Sequence, residues 1–121
     1  MKMQSNRQLR AANLIREMLV GVLQRNKHLE LPDVTITKVV ISSDLRVANC
    51  YLLPFAGQQS KDKVMAAYDA QRHALRRLVT EGISLKFSPE LRFFYDHGLE
   101  NAFEVERRLQ RAYGATDDVM A

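Results

Sequence analysis

The sequence predicts an α+β fold in which one small sheet carries helices on a single face. Apolar residues recur at helical spacing in three segments and at period two in three others, and the two kinds do not alternate strictly along the chain. The 121 residues, 46% hydrophobic and 26% charged, suffice for one core and are too few for two.

Gln4 to Arg25 reads as the first helix. Ala11, Ile15, Met18 and Val22 advance by four, three and four, Leu14 and Leu19 widen the stripe, and Ser5 can cap the N-terminus. Asn26-Lys27-His28 interrupts the pattern and Pro32-Asp33 marks a loop. Val34 to Ser42 is β-branched and close to alternating, which predicts a strand. Ser43-Asp44-Leu45 supplies the turn of a hairpin whose second strand runs from Arg46 to Leu53 and stops at Pro54. That strand sets Val47, Asn49, Tyr51 and Leu53 on one face and Ala48, Cys50 and Leu52 on the other.

A loop at 57–60 leads to Ser60, a second N-cap. Helical spacing then returns from Lys61 to Glu81 through Met65, Tyr68, Leu75, Leu78 and Val79, with a gap in the apolar stripe at Asp69–His73 and Gly82 as a C′ residue. Ile83 to Phe87 is a short extended segment before Ser88-Pro89. Leu91 to Asp96 is the third strand, with Leu91, Phe93 and Tyr95 on one face, and His97-Gly98 closes it. Leu99 to Tyr113 forms a last amphipathic helix broken by Glu106, and residues 114–121 are expected to be a flexible tail.

Composition narrows the function. Residues 1–92 carry 15 basic and 8 acidic side chains, a net of +7, whereas residues 93–121 carry 3 and 6, a net of −3. A basic body with an acidic end points to a polyanion partner. One cysteine, Cys50, excludes an internal disulfide framework and a Cys-based zinc site, and it suits a reducing compartment. Arg16 and Glu17 interrupt the best apolar run well short of the ~18 residues of a membrane span. Lys2, Arg7, Arg10 and Arg16 without an acid resemble a presequence, but their apolar partners continue into the first helix, so a folded, cytoplasmic chain is expected.

Catalysis has little support. His28, Cys50, His73 and His97 lie more than twenty residues apart, so no local metal spacing exists, and no glycine-rich phosphate loop is present. Cys50 sits mid-strand among apolar residues and reads as a small buried hydrophobe. Glu100, Glu104 and Glu106 share a helix with Arg107 and Arg108 and read as a solvated, salt-bridged face. The basic residues are more informative. Arg72 and Arg76 share a helix face, His73 and Arg77 form the next row, and Lys86 and Arg92 follow. A second group comprises Arg7, Arg10 and Arg16, with Lys38 and Arg46 on the hairpin. If these groups converge, they form the footprint of a nucleic-acid binder. The sheet lacks the K/R-G-F/Y-type motif of an aromatic stacking platform, which leaves phosphate contacts as the main expected source of affinity.

Four stretches carry a further reading: Arg7-Gln8-Leu9-Arg10 running into Leu14-Ile15-Arg16-Glu17; Ile36-Thr37-Lys38-Val39 into Ser42-Ser43-Asp44-Leu45; Val47-Ala48-Asn49-Cys50-Tyr51; and Ser88-Pro89-Glu90-Leu91-Arg92-Phe93 into Tyr95-Asp96. In order and spacing, from about residue 5 to 111, the chain resembles the ribosome-binding factor A family of bacterial small-subunit maturation factors. The resemblance implies a KH-like type II domain, α-β-β-α-kink-α-β plus a C-terminal helix, spanning residues 1–113. It implies binding to 16S ribosomal RNA in the immature 30S subunit during late assembly, often tied to growth in the cold.

Ordinary KH domains clamp backbone with a GXXG loop, and the five glycines here never stand three apart. The family instead has an Ala-x-Gly kink, which should fall on Gln71-Arg72-His73, where neither Ala nor Gly is present. Either the helix runs straighter there, or the kink survives with Arg72 and His73 projecting from it. The expected RNA contacts are Arg7, Arg10, Lys38, Arg46, Arg72, His73, Arg76, Arg77 and Lys86. No catalytic residue, metal, cofactor, membrane contact or small-molecule substrate is expected, and the free chain is expected to be a monomer. The competing reading is a protein-interaction adaptor whose basic face is only solvated.

Overall fold

The computed structural model describes residues 4–55, 60–82, 88–99 and 106. Helix α1 (Asn6–Arg25) opens on a capping box: the Ser5 hydroxyl accepts from the Gln8 amide, and the Gln8 side chain accepts from the Ser5 amide. A single 3₁₀ turn at Lys27–Leu29 leads into β1 (Val34–Ile41), followed by β2 (Val47–Pro54). Helix α2 (Lys61–Ala70) is capped by Ser60. It is followed by α3 (Arg72–Glu81) and β3 (Glu90–Tyr95). The expected loop at 57–59, the extended segment 83–87, Lys86, and most of the C-terminal helix and tail lie outside the described residues.

The sheet order is β1-β2-β3, with β1 antiparallel and β3 parallel to β2. A parallel pair cannot be joined by a tight turn, so the chain between β2 and β3 has to cross the sheet, and α2 and α3 make that crossing. Helix α1 packs on β1 while α2 and α3 pack on β3. Ala11, Ile15, Leu19 and Val22 of α1 meet Ile36, Val39, Ile41, Ala48, Cys50, Leu52, Leu91 and Phe93 from the sheet and Val64, Tyr68, Leu75 and Val79 from the crossing helices. Burying each large apolar side chain contributes about 1.5–3 kcal/mol. The stripes read for Gln4–Arg25 and Lys61–Glu81 therefore face the core, and the alternation of β2 resolves with Ala48, Cys50 and Leu52 inward.

The near-alternation of β1 conceals a bulge. Ile36 pairs with Leu52 and Lys38 with Tyr51, so Thr37 is the additional residue. It resets the pleat. Ile36, Val39 and Ile41 all reach the core, whereas Lys38, which strict alternation would put beside Ile36, turns to the opposite face. The Thr37 hydroxyl donates to Asp96 Oδ2 at 2.5 Å and also lies 3.3 Å from the Tyr51 carbonyl. Asp96 Oδ1 accepts the Leu99 amide at 2.8 Å, capping a helical turn that begins at His97 rather than at Leu99.

Two turns depart from the local expectation. Leu45 is the left-handed residue of the hairpin turn (φ 60°) and is buried, so its side chain anchors the turn in the core against backbone strain. The Ser42 hydroxyl, donating to Asp44 and accepting from the Arg46 and Val47 amides, holds that geometry. Gly82 does not use left-handed freedom (φ −83°). A Cβ there would meet the terminal methyl of Met18, the movable end of a flexible side chain reaching over from α1.

The Thr37 hydroxyl and then the Leu99 amide hold the Asp96 carboxyl below its ordinary value of 3.8. Such a group stabilises the fold fully above the unfolded value and ceases to do so as the pH falls through the lower, folded value. Denaturation at stepped pH should show a loss of stability on acidification below about pH 4. Asp96→Asn should remove that component and cost about 1–3 kcal/mol at neutral pH. An unchanged acid profile in the variant would exclude Asp96 as its source.

Candidate nucleic-acid interface

The break at Gln71 organises one side of the molecule. Gln71 has φ −99° and ψ 9°, and its amide is shared between the carbonyls of Ala67 (3.3 Å) and Tyr68 (3.2 Å). This is the sparsely used bridge region at negative φ, which any L-residue can enter. The helix is therefore interrupted without glycine, and a straight run through Asp69–His73 is not what forms. The gap in the apolar stripe marks the same place, where no core side chain holds the two halves in one line.

Along α3, His73 and Arg77 are exposed, while Arg72 and Arg76 are half-buried. Arg72 Nε is buried and has no hydrogen-bond partner. Arg76 is engaged within the chain: Nη2 donates to the Ser88 carbonyl at 2.6 Å and Nε to the Ser88 hydroxyl at 3.3 Å, while Thr80 bonds the same hydroxyl at 2.7 Å. It pins Ser88, beside buried Pro89, to the helix, a task that sequence spacing did not suggest.

Arg7 and Arg10 are exposed on the first turns of α1. Gln4 and Gln8 both donate to the Ile41 carbonyl, and the Glu90 amide donates to the Arg46 carbonyl. These bonds, with Arg76 on Ser88, bring the start of α1, the hairpin turn, the start of β3 and one side of α3 to the same end of the sheet. Arg46 stands there, 4.0 Å from Asp44, in a pair too exposed to contribute more than marginally. Arg16 is set apart, since its Nε donates to the Ile36 carbonyl on the edge strand at 3.0 Å. Lys38 is not part of the helical side at all. The Thr37 bulge places it on the open face of the sheet, with Nζ 4.6 Å from the centre of the Tyr51 ring.

No constellation for catalysis assembles among the described residues, and no group of three potential metal ligands occurs there. No described helix is long and apolar enough to cross a membrane. Cys50 is fully buried and burial pushes its thiol up to about 12, so the thiolate needed for nucleophilic attack is not populated at neutral pH. A cavity of about 270 Å³ lies between the end of α1, the 26–34 loop and Phe55; it is mainly apolar, and its charged groups, Lys27 and Asp33, pair at 3.8 Å.

The profile of the ribosome-binding factor A family matches residues 7–109. Ribosome-binding factor A of Rickettsia prowazekii is 42% identical over 115 residues, covering 92% of this chain and 90% of that protein. Its counterpart in Rickettsia felis is 44% identical over 113 residues, covering 90% and 94%. Among solved structures, the crystal structure of ribosome-binding factor A from Thermus thermophilus superposes with a TM-score of 0.60 at 18% identity, over 73% of this chain and 94% of that one. A homology model of the Thermus thermophilus factor, fitted into the cryo-EM map of a 30S-RBFA complex, gives 0.56 at 18% identity, over 69% and 88%. The fold is thus the KH-like one, with the type II element order.

The burial of Cys50 has a direct readout. In the native chain it should react with a disulfide reagent orders of magnitude more slowly than in denaturant, with one thiol appearing on unfolding. Fast native labelling would contradict its place in the core.

Proposed function

The chain belongs to the ribosome-binding factor A family, and on that premise we propose that it binds 16S ribosomal RNA in the immature 30S subunit and assists late maturation without catalysis. The observation that carries this reading is the set of exposed basic side chains without an ion-pair partner on the helical side. Arg7, Arg10, His73 and Arg77 are exposed, and none has an ion-pair partner among the described residues. Phosphate oxygens satisfy such groups without any base being read. Arg72 and Arg46 extend the surface, and Lys86 joins it on sequence alone. Arg76 contributes by fixing the Ser88 loop and offers its remaining N–H groups to phosphate. The protein acts as a cytoplasmic monomer that requires no metal or cofactor.

Co-sedimentation with small subunits at rising salt tests the proposal. Log affinity should fall against log salt with a slope of roughly −0.7 to −0.9 per phosphate contacted. His73→Glu combined with Arg77→Glu should weaken association at least about tenfold, because each change sets a carboxylate where an N–H donor would meet phosphate. Both positions are exposed, so the fold should persist. Association that ignores both salt and these changes would instead identify a protein-docking adaptor.

A further inference from the structure

The face of the sheet turned away from the helices is not a plain polar surface. Tyr51 of β2 pairs in register with Phe94 of β3, and their ring centroids lie 5.6 Å apart at 30°. Phe94 is 42% exposed, one of the few large hydrophobic side chains the described residues leave open. Lys38 stands over the Tyr51 ring from the other side, so β1, β2 and β3 contribute Lys38, Tyr51 and Phe94 as one row across the sheet. In the next row Asn49 pairs with Arg92; Asn49 Oδ1 is buried and has no hydrogen-bond partner. Arg92 is half-exposed, 3.5 Å from Glu90.

Cross-strand aromatic pairing stabilises a sheet by about 0.2–1 kcal/mol, but it gives no reason to leave Phe94 uncovered or to flank the rings with cations. An apolar contact with a second copy through Phe94 would have to desolvate Lys38 and Arg92 beside it, which costs unless each cation finds a partner. Unpaired nucleobases meet every term. They stack on aromatic faces whatever their identity, and their phosphates take the flanking cations.

We propose that this open face is a stacking platform for single-stranded RNA, with Tyr51 and Phe94 taking bases and Lys38 and Arg92 the adjoining phosphates. The proposal rests on the RNA-binding reading above and adds a second surface of different chemistry. The helical side contacts backbone, whereas this face requires bases that are out of a duplex.

Fluorescence anisotropy of the full chain with labelled octa-adenylate, and with an RNA hairpin lacking unpaired purines, provides the test. Phe94→Ala and Tyr51→Ala should each lower octa-adenylate affinity about 5- to 100-fold and leave hairpin affinity unchanged. Phe94→Tyr should keep it, and Phe94→Leu, apolar but without a π face, should fall with the alanine variant. Thermal unfolding of each variant checks that the sheet is intact, and Phe94→Tyr carries the comparison if an alanine variant is not. Octa-adenylate binding that Phe94→Leu preserves, or that none of these changes affects, overturns the platform. So does a wild-type chain that fails to bind octa-adenylate, as would follow if its own acidic end occupied the face, or one that dimerises through Phe94. The His73→Glu and Arg77→Glu changes separate the two proposals: they should weaken small-subunit association as above and spare octa-adenylate binding. Loss of the platform with retained, salt-dependent subunit binding would leave the helical side standing.

Discussion

The hydrogen bond between Thr37 and Asp96 joins the bulged edge strand to the chain just beyond the third strand, and much of the surface depends on it. The bulge at Thr37 sends Ile36, Val39 and Ile41 inward and Lys38 outward. Without it, one half of β1 would present a lysine to the core, where an unpaired ammonium costs far more than any single apolar contact returns. The Asp96 amide bonds to Leu52, its Oδ2 to Thr37 and its Oδ1 to Leu99, so one residue ties all three strands to the turn that follows.

The parallel pairing of β2 with β3 adds a second constraint. It obliges the chain to cross the sheet, and the crossing covers one face only. The core fills that side. The other receives what the pleat sends there: Lys38, Asn49, Tyr51, Arg92 and Phe94. The two faces therefore have different chemistry for a topological reason. On the helical side cations project from an interrupted helix; on the open side cations flank aromatic rings. The proposed RNA contacts divide accordingly, with Lys38 and Arg92 separated from the arginines of α1 and α3 by the thickness of the sheet.

Much of this was legible in the sequence. The helix stripes, the hairpin, the burial of Cys50 and the place of the helix break all follow from which positions are apolar. Gln71 shows why the break outlives the loss of Ala-x-Gly: the conformation needed is at negative φ, so the gap in the stripe is a better guide than the missing glycine. The bulge was not legible, because Val-Thr-Ile-Thr-Lys-Val-Val-Ile fits strict alternation nearly as well as the bulged register. Nor was the inward face of β2, since both of its faces are largely apolar. From that ambiguity followed the missed pairing of Tyr51 with Phe94. Arg76 was legible as a cation but not as the anchor of Ser88, because that bond spans twelve residues and depends on how the crossing ends.

The central claim is that the side of the molecule carrying the helix break faces ribosomal RNA. Since Cys50 is buried, a cysteine introduced at an exposed position is the reactive thiol for a tethered iron chelate. Exposed Ala70, beside the break, and exposed His28, at the far end of α1, are suitable sites. Hydroxyl radicals generated from Ala70→Cys on precursor small subunits should cleave 16S ribosomal RNA at a few clustered nucleotides, and those from His28→Cys should cleave it weakly or elsewhere. Strong cleavage from position 28 with none from position 70 would contradict the account.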